Sequence, residues 1–76
     1  MKDALQWGVI GTGKIADDFA RALADSERCK IVDVVGTSSE KAASYAARWS
    51  LGKSSASLEA LLANAAVDAV YIATPT

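Results

Sequence analysis

The sequence predicts an α/β fold, a parallel sheet in the strand order 3-2-1-4 with helices on its faces. Two observations carry this expectation. Short apolar runs alternate with stretches of helical periodicity along the chain, and a glycine-rich turn joins the first run to the first helix. Right-handed crossovers then place the first strand in the interior of the sheet.

The first run, LQWGVI at 5–10, ends at Gly11, and residues 15–24 follow with Ile15, Phe19, Ala22 and Leu23 near helical spacing. Asp17 and Asp18 fall in the first helical turn, where negative charge suits the positive end of the helix dipole. They read as helix-start residues rather than catalytic acids. The second run, IVDVV at 31–35, is β-branched and bounded by Lys30 and Gly36, the pattern of a buried parallel strand with Asp33 as its exception.

Thr37-Ser-Ser-Glu40 has capping-box spacing, with Thr37 at the cap and the Glu40 carboxylate reaching back. Ala42, Tyr45, Ala46 and Trp49 then recur at i, i+3, i+4 and i+7, and Gly52 stands where it would end this helix just after Leu51. Tyr45 and Trp49 read as core anchors. Residues 53–56 predict a short third strand, Ser57 a helix cap, and Leu58, Leu61 and Leu62 a brief amphipathic helix. The run VDAVYIA at 67–73 is the fourth strand, and Thr74-Pro75-Thr76 leaves it as a loop because proline cannot donate to a ladder.

Composition narrows the function classes. The 76 residues suffice for one small domain, and 51% hydrophobic with 22% charged residues favours folding over disorder. A net charge of −1 provides no broad basic field, so nucleic acid and anionic membrane surfaces are not expected partners. Cys29 stands alone and histidine is absent, which removes an intrachain disulfide and the commonest zinc ligand, and no metal site is predicted. No run approaches the roughly 20 apolar residues of a membrane span, and MKDALQWGVIG lacks a sustained apolar segment with a cleavage site. The expected location is cytoplasmic.

The turn GTGKIA fits the dinucleotide-binding pattern G-x-G-x-x-[GA], with Gly11 making the tight turn, Gly13 admitting pyrophosphate close to the backbone, and Ala16 allowing helix and strand to pack. Amides around Thr12, Gly13, Lys14 and Ile15 would then point into a phosphate site at the helix N-terminus. The strand before, the helix after and a second strand beyond are the context this pattern requires, and they predict a partial Rossmann fold. The bare alternative is a structural turn. Lys14 leans over phosphate or solvent and does not complete a P-loop, whose lysine-Ser/Thr ending is missing.

An NAD-preferring site usually has Asp or Glu at the end of the second strand, where this chain has Gly36. With no carboxylate there, a 2′-phosphate fits near Thr37, Ser38 and Ser39 with Lys41 supplying charge, which favours NADP over NAD. Two readings compete. Thr37 and Ser38 could serve only as caps with Lys41 a solvated surface residue, and Asp33 would be the ribose carboxylate if the strand ended two residues earlier.

The segments WGVIGTGKIADDF, KIVDVVGTSSEKAASYAARW and SLEALLANAAVDAVYIATPT together resemble the N-terminal half-domain of the Gfo/Idh/MocA oxidoreductases. Within that family, GTSSEKAASYA is similar to the NADPH-dependent 1,5-anhydrofructose reductases. The resemblance implies a pyrophosphate turn at Gly11, Thr12, Gly13, Lys14 and Ile15, and an adenosine-ribose region at Thr37, Ser38 and Lys41. It also implies that Ala73, Thr74 and Pro75 form the loop under the nicotinamide half of the cofactor. Family members continue with a histidine-containing stretch, a Glu-Lys-Pro motif whose lysine is catalytic, and a mixed-sheet substrate domain, none of which occurs in these 76 residues.

The expectation is therefore an N-terminal dinucleotide-binding fragment without catalytic residues of its own. Its parent would transfer hydride between the cofactor and a sugar or related carbonyl. Lys41 and Lys53 are not candidates for the missing lysine. A non-catalytic cofactor-sensing module and a purely structural minidomain are the alternatives. An open edge at 69–73 also predicts self-association.

Overall fold

The computed structural model describes residues 4–73. Six elements follow in order: β1 (Leu5–Ile10), α1 (Lys14–Leu23), β2 (Cys29–Val35), α2 (Ser39–Arg48), α3 (Leu58–Leu62) and β3 (Ala69–Ile72). The strands form a parallel sheet in the order β2-β1-β3, so the first strand is central as expected and the expected fourth strand is β3.

The expected third strand is not formed. Residues 53–56 run beside β2 without a ladder, held there by a backbone bond from Ser55 N–H to the Val34 carbonyl at 2.8 Å. The stretch Lys53-Ser-Ser-Ala56 contains no β-branched or aromatic residue to pack on a pleated surface. Side-chain bonds to Asp33 replace the missing rungs.

One face of the sheet carries the main core. Val9 and Val34 pack with Ala16 and Ala20 of α1 and with Ala42, Tyr45 and Ala46 of α2, all buried. The sheet-facing stripe of α1 differs from the one expected: Ala16 and Ala20 are buried, whereas Ile15 is 54% exposed and Ala22 is also exposed. Small side chains let the helix lie close to the strands, and Ile15 is left at the rim. Phe19 stacks on Tyr71 with centroids 3.9 Å apart and meets Trp7 edge-on at 5.4 Å, which ties α1 to β1 and β3.

The other face is thinner. Gly8 is buried there, and a Cβ on it would lie 2.9 Å from Leu61 Cδ2 and 3.2 Å from Val67 Cγ1, so the absent side chain lets α3 approach. The β1–β2 register shifts between Trp7 and Gly8, with Trp7 opposite Ile31 and Gly8 opposite Asp33. This bulge leaves Val32 without a register partner and brings Asp33 toward Ser55 and Asn64.

The α2 helix begins one residue later than the capping-box spacing suggests: Ser38, not Thr37, is the cap, and its Oγ accepts from Lys41 N–H at 3.2 Å. Its end is also earlier than Gly52. Ser50 takes the left-handed conformation (φ 59°), Leu51 N–H donates to the Ala46 carbonyl at 2.8 Å, and Ser50 N–H donates to Ala47. That pair of bonds makes a Schellman closure, a position normally given to glycine. Ser57 caps α3 as expected, accepting from Ala60 N–H at 3.1 Å.

Candidate functional site

Parallel register brings Ile10, Val35 and Ile72 side by side at the carboxyl end of the sheet, so the segments that follow them converge. Open parallel sheets present their ligand crevices at this end. Gly11 N–H donates to the Val35 carbonyl at 2.8 Å and Ala73 N–H donates to the Ile10 carbonyl at 2.8 Å, which fixes where the chain leaves β1 and β3.

Gly11 has φ 115°, a conformation that side chains strongly resist, and it turns the chain sharply off β1. Gly13 is the N-cap of α1 and makes no side-chain cap bond, so the donors that such a cap would satisfy are available to another acceptor. Gly13, Lys14 and Ile15 are exposed and Thr12 is half-buried. A Cβ on Gly13 would meet nothing within 4 Å, whereas one on Gly36 would lie 2.8 Å from Thr12 Cγ2. Glycine at 36 is thus needed for internal packing of the turn against the end of β2, and glycine at 13 is not.

Two hollows flank the turn. A groove of about 370 Å³ runs between Thr12 and Gly13 on one side and Glu40, Lys41, Ser44 and Arg48 of α2 on the other. A smaller cleft of about 210 Å³ lies across the strand ends, where Ile10, Gly11, Val35, Gly36 and Thr37 face Ala56 and Leu58. Among the expected site residues, Thr12, Gly13 and Lys41 line the groove, and Gly11 and Thr37 line the cleft. Ser38 caps α2 between them, and Ala73 is buried at the end of β3. Thr74 and Pro75 lie outside the described residues.

Sequence reasoning missed Ser44 and Arg48 in the groove and Ala56 and Leu58 in the cleft. The first pair had a signal, since positions 41, 44 and 48 share one helical face. Ala56 and Leu58 had none, because they sit in the unladdered segment and at the start of the helix after it.

The turn is braced from behind. Asp17 Oδ1 accepts from Trp49 Nε1–H at 2.8 Å and from Arg48 Nη2–H at 2.9 Å, joining the start of α1 to the end of α2. The Trp49 hydrogen bond, helped by the Arg48 guanidinium, holds the Asp17 carboxyl below its usual value against a smaller opposing effect of burial. Tyr45 donates its hydroxyl to the Ala16 carbonyl at 2.6 Å, and burial, reinforced by the Asp17 charge, pushes the phenol up to about 12.

Asp33 has a different place. It is fully buried; Oδ1 accepts from Val34 N–H at 2.8 Å, and Oδ2 accepts from Ser55 Oγ–H at 2.7 Å and Asn64 Nδ2–H at 3.0 Å. The strand ends at Val35, as read from sequence, so the condition under which Asp33 would face a ribose is not met.

The arrangement fits a dinucleotide. An uncapped helix start and an open approach at Gly13 suit a pyrophosphate, and the facing groove wall carries Lys41 beside Glu40. Among the described residues no group of three or more His, Cys, Asp or Glu side chains is placed to hold a metal ion, and no helix is long and apolar enough to cross a membrane.

Comparison with known proteins agrees with this geometry. Residues 5–76 match the model of the oxidoreductase family with an NAD-binding Rossmann fold. The chain is 36% identical over 69 residues to 1,5-anhydro-D-fructose reductase of Ensifer adhaerens, covering 91% of this chain and 21% of that protein. It is 34% identical over 71 residues to an NADP(+) scyllo-inositol 2-dehydrogenase of Bacillus subtilis, covering 93% and 22%. Among solved structures, an NAD-binding protein from Listeria innocua superposes with a TM-score of 0.82 at 32% identity over 99% of this chain and 21% of that one. The WlbA dehydrogenase of Bordetella pertussis in complex with NADH and UDP-GlcNAcA gives 0.82 at 27% identity over 95% and 22%.

The chain thus spans about a fifth of the length of these relatives. With the family model matched over residues 5–76 and the Rossmann arrangement present in the fold, the chain belongs to the Gfo/Idh/MocA oxidoreductase family.

Proposed function

We propose that residues 11–15 hold the pyrophosphate of a nicotinamide dinucleotide. Thr37, Ser38 and Lys41 meet the adenosine ribose, and Ala73, Thr74 and Pro75 lie beside the nicotinamide half. The observation that carries this reading is Gly13: it heads α1 without a side-chain cap, is exposed at the carboxyl end of the sheet, and has open space where its Cβ would be. Backbone donors and the helix dipole then face the anion together. When bound, the nicotinamide accepts or donates hydride; the chain's own residues bind and orient it.

NADP is the preferred cofactor in this reading. Val35 is followed by Gly36, Thr37 and Ser38 with no carboxylate at the strand end, and Asp33 is engaged internally. Lys41 lines the groove beside Thr12, whereas the Arg48 guanidinium there is already paired with Asp17. Lys41→Ala should lower the NADPH-to-NADH affinity ratio by roughly three- to tenfold, the worth of one exposed charge contact. An unchanged ratio would remove Lys41 from the site.

In the same reading these 76 residues are the N-terminal part of a cytoplasmic dinucleotide-binding domain. The proton-transferring and substrate-binding groups, for a sugar or related carbonyl or alcohol, lie elsewhere. The β3 strand pairs with β1 along one edge, and Ile72 is 69% exposed, which supports self-association through the other edge. Sedimentation of a concentration-independent monomer would contradict that last point.

A further inference from the structure

The geometry points to Asp33 as the positioning residue for the cleft that takes the adenine end of the dinucleotide, acting through Ser55 on the wall formed by Ala56 and Leu58. This rests on the dinucleotide reading above and adds a residue outside the glycine turn and the ribose region.

The argument begins with what residues 53–57 lack. They carry one wall of the cleft across the strand ends, yet they have no strand ladder to fix their distance from β2. The backbone holds the segment to β2 through the bond from Ser55 N–H to the Val34 carbonyl at 2.8 Å. Side-chain bonds restrain it: Asp33 Oδ2 takes Ser55 Oγ–H at 2.7 Å and Asn64 Nδ2–H at 3.0 Å, tethering the segment both to β2 and to the end of α3.

Asp33 is fully buried and Ser55 is 5% exposed, so water does not compete for the bond between them, and the bulge between residues 31 and 33 turns the carboxylate toward Ser55 and the part-buried Asn64. A buried acidic group in an otherwise apolar strand is costly unless its acceptors are satisfied, and here three donors converge on it. The tethered segment continues directly into Ala56, Ser57 and Leu58, which face Gly11, Gly36 and Thr37 across about 210 Å³. Breaking the tether therefore changes the width of the cleft before it changes the glycine turn, whose contacts run through Val35, Thr12 and α1.

The test uses the isotope-labelled chain and two ligands. Adenosine 2′,5′-bisphosphate needs the cleft; inorganic pyrophosphate needs only the glycine turn. Both are titrated against wild type and Ser55→Ala while amide shifts are followed. The expected result is adenosine 2′,5′-bisphosphate bound roughly three- to tenfold more weakly by Ser55→Ala, comparable to a partial loss of one charge-assisted hydrogen bond, with pyrophosphate affinity unchanged.

Equal affinity of both proteins for adenosine 2′,5′-bisphosphate overturns the role of Asp33, and so does an equal loss for both ligands, which indicates general destabilisation. If Ser55→Ala does not fold, Asn64→Ala removes the second tether bond and is judged by the same two ligands. A folded wild-type chain that responds to neither ligand overturns the dinucleotide reading itself, a different result from a wild type that binds while the variant binds equally well.

Discussion

The Tyr45 hydroxyl donates to the Ala16 carbonyl at 2.6 Å, so a side chain from the middle of α2 is latched to the first turn of α1, immediately behind the glycine turn. Tyr45 is fully buried, and its ring sits in the same cluster as Ala16, Ala42 and Val34. Ala16 is the third position of the dinucleotide pattern, where a larger side chain would obstruct this approach.

Tyr45→Phe keeps the ring and removes the latch. We expect a loss of about 1 kcal/mol, the net worth of one buried hydrogen bond, which in a domain of this size lowers the melting temperature by roughly 4–8 °C. The phenol value of about 12 in the folded chain, above its ordinary 10.0, sets a direction in alkali. The unfolded chain ionises first, so this contribution is complete below pH 10 and is lost as pH rises toward 12. Alkaline denaturation followed by circular dichroism should show a smaller decline over that window in Tyr45→Phe.

Asp17 makes the complementary prediction in acid. Its carboxyl is held below 3.8 by Trp49 and Arg48, so the associated stability is present above that value and is lost as pH falls through the lower folded value. Asp17→Asn keeps an acceptor for Trp49 but removes the charge, and should cost about 1 kcal/mol at neutral pH, mostly from the lost charge assistance to the partly buried Trp49 bond, because the Arg48 partner is half-exposed. It should also flatten the acid limb of the stability curve. Tryptophan emission, to which both Trp7 and Trp49 contribute, follows unfolding in both proteins.

Gly36→Ala places a Cβ 2.8 Å from Thr12 Cγ2, and the stiff β-branched Thr12 must move with the turn that carries it. Overpacking of this kind typically costs about 1–3 kcal/mol, and here it should appear as roughly tenfold weaker dinucleotide binding. Adding Thr12→Ser removes the opposing methyl and should restore most of the affinity. Failure of the double variant to recover would show that Gly36 acts through something other than this contact.

Much of this was legible in the sequence because it depends on neighbours in the chain. The apolar run at 5–10, the spacing of Ala42, Tyr45, Ala46 and Trp49, and the cap at Ser57 are local patterns, and the elements form where these patterns lie. The missed features depend on residues distant in sequence. Asp33 was conspicuous in its strand, but Ser55 and Asn64, which explain it, lie 22 and 31 positions away. The stripe on α1 differs in part for a related reason: Phe19 packs on the core and Ala16 meets the strands as expected, but close packing against Val9 and Val34 favours Ala20 over the larger Ile15. At the end of α2, Leu51 and Ala46 close the helix through Ser50, so Gly52 is not what ends it.

The most direct test of the central claim is a two-dimensional amide NMR titration of the chain and of Gly13→Ala with NADPH and NADH. A Cβ at Gly13 meets nothing in the fold, and its φ of −83° suits any residue, so Gly13→Ala should retain the dispersed spectrum with at most about 1 kcal/mol lost at the cap. The account predicts that wild-type amides of Thr12, Gly13, Lys14 and Ile15 shift with both cofactors, that those near Lys41 shift with NADPH alone, and that Gly13→Ala suppresses all of these responses. A folded wild-type chain whose glycine-turn amides stay still near saturation, or a Gly13→Ala chain that binds as well as wild type, would contradict it.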